Sequence, residues 1–168
     1  MIDNEDIVSD LKRALRVLAK GVVLIACRSV AGERFVMPAT AVTPVSMDPA
    51  SMLICVNRNV SSYPALAEGA AFSISILRHD QRAIAELCTG PANRDSRFSL
   101  GDWQHAENGT PFLADALAAI LCEQSQRVAF GSHDVIFGIA TGVLVNGVQD
   151  PLIYADGGYH ALPLQAGS

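Results

Sequence analysis

The sequence predicts one mainly β domain over residues 1–168, folded as a closed or nearly closed antiparallel barrel with a few peripheral helices. Extended segments rich in β-branched residues outnumber amphipathic ones, giving five or more strands against about three helices. The strands do not alternate regularly with helices, which argues against a doubly wound parallel sheet. The length of 168 residues, 50% of them hydrophobic, is enough to fill a single core.

The first half of the chain supplies most of the predicted strands. Ile7, Leu11, Leu15 and Leu18 share one face of a predicted helix over 3–20, which Gly21 ends. The elements that follow are strands over 22–27, 35–46 and 52–57, a short helix that opens at Ser61–Pro64 and stops at Gly69, and a strand over 72–77.

The second half contains one ambiguous segment. Residues 114–123 are rich in alanine and leucine, which favour a helix by propensity. Before this segment, the sequence predicts a helix over 81–87 capped by Asp80 and a long polar loop over 90–111 that holds Arg94, Arg97, Phe98 and Trp103. After it, an extended segment over 128–145 has glycine turns or bulges at 131, 138 and 142. The last predicted element is a hairpin of 152–154 and 159–162 around 156–158. Loops as long as 90–111 are often functional.

The composition argues against several classes of protein. A net charge of -5 does not fit nucleic-acid binding, which needs a basic surface. No run reaches the roughly 18 apolar residues of a membrane helix, and the acidic start over 1–6 is not a signal peptide. Four widely spaced cysteines among apolar neighbours are typical of buried free thiols in a reducing cytoplasm, where we expect the protein. The high hydrophobic content suggests apolar surface hidden in an oligomer.

Common catalytic and binding motifs are absent from the sequence. There is no G-x-G-x-x-G after a strand, no G-x-x-x-x-G-K-[ST], no H-E-x-x-H and no G-x-S-x-G. The four histidines are far apart and are not paired with cysteines, so no metal site is predicted. Acidic residues lie mostly in predicted helix faces and turns, where solvated charge is the simplest interpretation.

Three short stretches carry the remaining polar chemistry. The stretch A-T-A-V-T-P-V-S-M-D-P, which starts at Ala39, puts three hydroxyls and a proline into an apolar strand. Either the strand simply ends in a turn, or its backbone and hydroxyls hold something polar and flat. The stretch C-V-N-R-N-V-S-S, which ends at Ser62, combines helix N-terminal amides with Arg58 and hydroxyls, as a phosphate site does, although an ordinary helix cap has the same pattern. G-S-H-D-V-I-F-G places His133 at the start of a strand, where a structural hydrogen bond is the simpler role.

Read in this order, the stretches resemble the short-chain flavin reductase family, which has a split-barrel FMN-binding fold and supplies reduced flavin to two-component monooxygenases. The likeness covers nearly the whole chain. It includes the stretch that starts at Ala39 and the stretch that contains His133. It also includes L-K-R-A-L-R-V-L-A-K-G-V-V-L-I, M-L-I-C-V-N-R-N-V-S-S, A-F-S-I-S-I-L, S-R-F and P-L-I-Y-A-D-G-G-Y. The resemblance implies a strand over 116–123, against its helix propensity.

The resemblance also implies a function and a set of site residues. The expected reaction is hydride transfer from NADH or NADPH to FMN or FAD, in a homodimer that serves a partner monooxygenase. His133 is the one candidate catalytic residue, and it would border the nicotinamide together with Tyr159. The ring and ribityl chain would contact Ala39, Thr40, Ala41, Val42, Thr43 and Ser46, with Ser75 near the ring edge; the phosphate would contact Asn57, Arg58, Ser61 and Ser62; Arg97 and Phe98 would cover the site.

The sequence departs from the family pattern at several of these positions. Proline stands at 38 and 44, where hydroxyl residues are common in the family, and Ser75 replaces the usual asparagine. Gly-Ser-His replaces Gly-Asp-His, so a carboxylate that would orient His133 is missing, and Asp134 would point to the opposite face of the strand. Two alternatives therefore stay open: a flavin-binding split-barrel protein that is an electron carrier or sensor, and an oxidase of the pyridoxamine-phosphate type.

Overall fold

Strands are the main secondary structure in a computed structural model that describes residues 4–147 and 150–162. Three helices accompany them there: α1 (Asn4–Arg16), α2 (Tyr63–Ala67) and α3 (Arg82–Thr89). The strands are β1 (Lys20–Gly21), β2 (Val23–Arg28), β3 (Arg34–Ala39), β4 (Val42–Met47), β5 (Ala50–Asn57), β6 (Phe72–Ile76), β7 (Trp103–His105), β8 (Pro111–Leu113), β9 (Ala118–Phe130), β10 (His133–Val145), β11 (Leu152–Ala155) and β12 (Gly158–Ala161). No helix in these ranges is long and apolar enough to cross a membrane.

A seven-stranded antiparallel sheet forms the body of the molecule, in the order β3-β2-β6-β9-β10-β5-β4. Its two end strands, β3 and β4, are consecutive in the chain and are joined by Thr40 and Ala41 alone. Two linking residues span at most about 11 Å between the flanking Cα atoms. The sheet must therefore curl until its ends meet, which makes it a barrel split between β3 and β4. The predicted split barrel is confirmed.

The strands of this barrel bury side chains on both of their faces. Side chains of β2 alternate: Val23, Ile25 and Cys27 face the barrel interior, and Leu24 and Ala26 face a second core formed with α3. This double burial explains why the sequence shows a continuous apolar run here instead of alternation. Each fully buried leucine or isoleucine contributes about 1.5–3 kcal/mol, so β2 anchors the fold.

Strand β6 has apolar and polar faces that are both buried. Phe72 and Ile74 point into the barrel, while Ser73 and Ser75 point outwards and are completely covered. The Ser73 hydroxyl donates to the carbonyl of Pro111 at 2.7 Å, and the Ser75 hydroxyl accepts from the N–H of Leu113 at 3.1 Å. The two serines thus attach the short strand β8 to the outside of the barrel.

Helix propensity is wrong for 114–123, and the strand implied by the resemblance is confirmed. Ala118–Phe130 is one continuous strand because it pairs with β6 on one side and β10 on the other. The predicted extended segment 128–145 is instead the end of β9, a turn at Gly131 with φ +56°, and β10. The ladder between the two strands shifts register at Gly138 and Gly142, as expected for bulges.

Several predicted boundaries and caps differ from the structure. Helix α1 ends at Arg16 rather than residue 20, and residue 3 lies outside the described residues. The segment 35–46 bends at Thr40 into two strands. Asp80 binds the Arg78 guanidinium and lies in a 3₁₀ turn instead of capping α3, and the Ser62 side chain makes no capping bond to α2. The two caps are absent because the Asp80 carboxylate pairs with Arg78 and the Ser62 hydroxyl contacts Met37 instead.

Candidate functional site

The outer face of β4, β5 and β10 collects one group of the predicted site residues. Because Ile54, Val56 and Ile136 point into the barrel, their neighbours Asn57 and His133 must point outwards. Asn57 and His133 are register partners, so their Cα atoms lie about 4.5–5.5 Å apart. Exposed Ala41 and Thr43 continue the same face toward the split in the barrel.

A groove beside the split collects the second group. Ala39, Thr40 and Tyr159 line a cavity of about 240 Å³ together with Val22, Pro38, Thr89 and Tyr154. Two further depressions adjoin it and share Tyr154: one of about 400 Å³ is lined by Lys12, Arg16 and Lys20, and the other of about 430 Å³ by Arg82 and Glu86. The groove therefore offers aromatic walls with a basic rim, which suits a flat, negatively charged molecule.

Two tyrosines shape this groove. Tyr154 and Tyr159 are register partners in the β11–β12 hairpin, and their rings meet edge to face with centroids 5.3 Å apart. The Arg82 guanidinium lies 5.6 Å from the centre of the Tyr159 ring. Sequence reasoning missed Tyr154, although a hairpin around Asp-Gly-Gly would have placed it opposite Tyr159.

The predicted phosphate segment is only partly available to a ligand. Arg58 and Ser61 are exposed, and the side-chain oxygen of Asn57 accepts the N–H of Asn59 at 2.9 Å. Ser62 is buried, and its hydroxyl contacts the sulfur of Met37 at 3.4 Å. The structure thus brings Asn57, Arg58 and Ser61 to the surface beside His133, but not the Ser62 hydroxyl.

His133 has a hydrogen-bond partner that the sequence analysis did not predict. Its Nδ1 lies 2.9 Å from the hydroxyl of Ser132. Asp134 points into the barrel, as the strand alternation predicts, and is almost completely buried. Ser132 therefore occupies the orienting position for which the family uses a carboxylate, and it leaves Nε2 of the exposed imidazole directed away from it.

Three other predicted residues have side chains turned away from this face. Val42 packs against the barrel core, and the Ser46 hydroxyl binds the N–H and carbonyl of Asp48 in the β4–β5 turn, at 2.9 and 3.0 Å. Ser75 is buried under β8. Only the backbone of Val42 and Ser46 can reach a ligand at the split.

Arg97 and Phe98 also lie away from the outer face. Arg97 donates to the carbonyls of Val36 at 3.4 Å and Gly90 at 3.2 Å. Phe98 meets the Trp103 ring at 4.7 Å. Arg97 thus supports Gly90 in the wall of the groove, and neither Arg97 nor Phe98 lines the three depressions that form it.

The described residues provide neither a reactive thiolate among the buried cysteines nor a group of metal ligands. Burial raises the pKa of Cys27 to about 12 and the pKa values of Cys88 and Cys122 to about 11, so these thiols are protonated at neutral pH. Within residues 4–147 and 150–162, no three His, Cys, Asp or Glu side chains are grouped to hold a metal ion. Depressions of about 450 and 580 Å³ elsewhere contain none of the predicted site residues.

Comparison with known proteins gives one consistent match. Residues 15–163 match the family model described as flavin reductase like domain. The FMN reductase (NADH) RutF of Variovorax paradoxus is 33% identical over 154 residues, which cover 92% of this chain and 85% of that protein. A protein of the same name from Methylorubrum extorquens is 36% identical over 132 residues, 79% of this chain and 66% of its own length. This chain thus spans about two thirds of the Methylorubrum protein.

Solved structures have the same fold. BorF, the flavin reductase component of a bacterial two-component tryptophan halogenase, superposes with a TM-score of 0.85 at 26% identity, covering 94% of this chain and 99% of BorF. The NADH:FAD oxidoreductase of Streptomyces globisporus, solved with NAD and FAD fragments, gives a TM-score of 0.86 at 23% identity and covers 99% of both chains. At that identity the second likeness concerns the fold alone.

Proposed function

The chain belongs to the flavin reductase family, and we propose that it is an NAD(P)H:flavin oxidoreductase that transfers hydride from NADH or NADPH to FMN or FAD. The observation that carries the proposal is the split at Thr40–Ala41, where the two ends of the barrel meet beside a tyrosine-walled groove. When both nucleotides are bound, they supply the redox chemistry themselves. The protein has only to bind and orient them, so the reaction requires no strong acid or base from its side chains.

Each group of residues has a distinct part in this proposal. The small side chains of Ala39 and Ala41 let a flat ring approach the backbone at the split. Asn57, Arg58 and Ser61 supply donors for a phosphate. His133 and Tyr159 border the place of the nicotinamide, with His133 held by its bond to Ser132.

The relatives favour particular nucleotides and a particular use of the product. Since the curated relatives are named FMN reductase (NADH), we expect FMN and NADH to be the preferred pair. BorF is the reductase component of a halogenase. We accordingly expect reduced flavin to leave this protein for a flavin-dependent monooxygenase or a related oxygen-using partner. The four unpaired cysteines fit a reducing compartment, so we place the reaction in the cytoplasm.

A homodimer is part of the proposal. Helix α1 has no buried residue, and Ile7, Leu11 and Leu15 on its apolar face are each about half exposed. The ends of β9 and β10 add Phe130, 80% exposed, and Val145, 69% exposed. Apolar surface of this extent is typical of an interface. Light scattering should give the mass of a dimer at micromolar concentration, and a clean monomer would contradict this part.

The test of the function is NADH oxidation by the purified protein, followed by absorbance with and without added FMN or FAD. Turnover that depends on free flavin is expected. His133→Ala should lower kcat/KM for NADH roughly 2- to 10-fold, the value of one hydrogen bond, whereas His105→Ala on β7 should have no effect. Flavin that binds tightly without any NADH or NADPH oxidation would refute the reductase and favour the electron carrier or sensor.

A further inference from the structure

One end of the barrel holds three polar side chains around a single buried carboxylate. Asp134, whose side chain is 2% exposed, accepts from Nε of Arg58 at 2.7 Å, from Nη1 of Arg127 at 3.0 Å and from the Tyr63 hydroxyl at 3.0 Å. These residues come from β10, the end of β5, β9 and the start of α2 respectively. Arg127 Nη1 also lies 3.3 Å from the Tyr63 hydroxyl. We call the four residues the Asp134 cluster.

The charges of the Asp134 cluster do not cancel. Two guanidinium groups face one carboxylate, which leaves an excess of one positive charge. Only Nε of Arg58 and Nη1 of Arg127 bind Asp134, although each guanidinium has five N–H donors. The two arginine side chains are 39% and 40% exposed, so both remain partly accessible to a ligand from solvent. Both guanidinium groups therefore keep N–H donors that Asp134 does not bind, and a dianion could use them.

The Asp134 cluster adjoins the end of the candidate site at Asn57 and His133, with Asp134 on the inward face of β10 and His133 on its outward face. The Arg58 N–H donates to the carbonyl of Ser132 at 3.1 Å, and Asn57 pairs with His133 in the adjoining ladder. Exposed Ser61 lies three residues beyond Arg58. The free guanidinium donors therefore lie at the end of the site where a nucleotide's phosphate is expected, and their orientation is fixed by a carboxylate that cannot rotate away.

We infer that Arg58 and Arg127 form a binding site for a phosphate monoester, and that Asp134 is a positioning residue which aims both of them. Two guanidinium forks at fixed orientation match the geometry and charge of a phosphate dianion. The inference rests on the proposed function and deepens it, because the phosphate comes either from FMN or from the 2′-phosphate of NADPH. It also adds Arg127, which lies outside the predicted phosphate segment.

The experiment compares ligands that differ only by this phosphate. Binding of FMN and riboflavin, and the KM values of NADPH and NADH, are measured for the wild type, Arg127→Gln, Arg127→Lys and Asp134→Asn. Arg13→Gln on α1 is the matched control, because it removes the same charge from an exposed ion pair. Urea unfolding of each variant establishes that it is folded under the assay conditions.

Arg127→Gln is expected to lower FMN affinity roughly 10-fold or more, as for loss of a charge-assisted hydrogen bond, with riboflavin affinity unchanged. If the site instead binds the 2′-phosphate of NADPH, Arg127→Gln should raise the KM of NADPH relative to that of NADH. Asp134→Asn should also reduce the ratio of FMN affinity to riboflavin affinity, or of NADPH preference to NADH preference, although both arginines remain. A purely structural role would not produce that effect. Arg127→Lys should retain part of the preference.

One result would overturn the inference, and a different one would refute the proposed function while leaving the anion site to be tested by itself. Riboflavin and FMN affinities that fall equally, or FMN and NADPH preferences that both stay unchanged in all variants, would mean that the Asp134 cluster only stabilises the barrel end. Failure of the wild type to bind either flavin or oxidise NADH would refute the proposed function as well. In that case, inorganic phosphate that raises the Tm of the wild type but not of Arg127→Gln, relative to chloride at equal ionic strength, would still support the anion site.

Discussion

Replacement of Ser75 by alanine should destabilise the protein without affecting flavin binding. The hydroxyl is fully buried and is the acceptor for the N–H of Leu113, which is itself inaccessible to solvent. Alanine leaves that N–H buried without a partner, which costs about 1–3 kcal/mol. The family resemblance instead implies that this side chain lies near the ring edge, so the variant separates the two interpretations.

Urea unfolding followed by tryptophan fluorescence is the assay. Trp103 is the only tryptophan, and it is the register partner of Leu113, so it reports on the place where the bond is lost. With an m-value of about 2 kcal/mol/M, a loss of about 2 kcal/mol moves the midpoint down by about 1 M urea. Exposed Ser99→Ala is the control and should leave the midpoint in place.

The reasoning would be refuted by the opposite pair of results. If Ser75→Ala unfolds at the wild-type midpoint but binds FMN more weakly, the hydroxyl faces the ligand. In that event the attachment of β8 must depend on Ser73, and Ser73→Ala would carry the whole loss of stability.

Three other predictions follow from packing and from the pKa shifts. A Cβ at Gly138 would lie 2.6 Å from the Phe72 ring, so Gly138→Ala should lower the free energy of unfolding by about 1–3 kcal/mol through overpacking. Gly142→Ala, whose Cβ would have its nearest contact at 3.2 Å, should lower it less. Equal urea midpoints for the two variants would contradict this prediction. The hydrogen bond from Arg58 lowers the pKa of Asp134 below its usual 3.8. Ionised Asp134 therefore stabilises the fold fully above pH 3.8, and this stabilisation is lost as the pH falls through the folded-state pKa. Acid titration of stability should therefore be flatter for Asp134→Asn, and identical curves would show no linkage. Partly exposed Cys55 should react with a thiol reagent well before the three buried cysteines, and Cys55→Ser should remove that fast phase.

Sequence reasoning located the barrel because its signals are local. Glycine marks the β9–β10 turn at Gly131, and the hairpin around Asp156 was predicted at the observed place. The strand β9 could not be obtained from propensity, because its alanines are extended only through pairing on both sides. The resemblance supplied what local chemistry could not.

The candidate site was harder to predict, because burial depends on partners distant in sequence. Ser75 and Ser62 read as free donors, yet one supports β8 and the other is covered by Met37. Arg127 carried no signal of its own: only the hairpin brings it to Asp134, and only the end of β5 adds Arg58. Alternation along β10 did predict that His133 and Asp134 face opposite sides.

The split in the barrel leaves β3 and β4 as open edges, and this has a consequence for self-association. Unpaired strand edges recruit strands from other molecules and so promote aggregation. Pro38 lies in β3 and Pro44 in β4, where each removes a backbone donor from its strand. Proline is tolerated in these two strands because they are the ends of the sheet. The same prolines that stand where the family resemblance leads one to expect hydroxyls thus protect the opening of the barrel against edge-to-edge pairing.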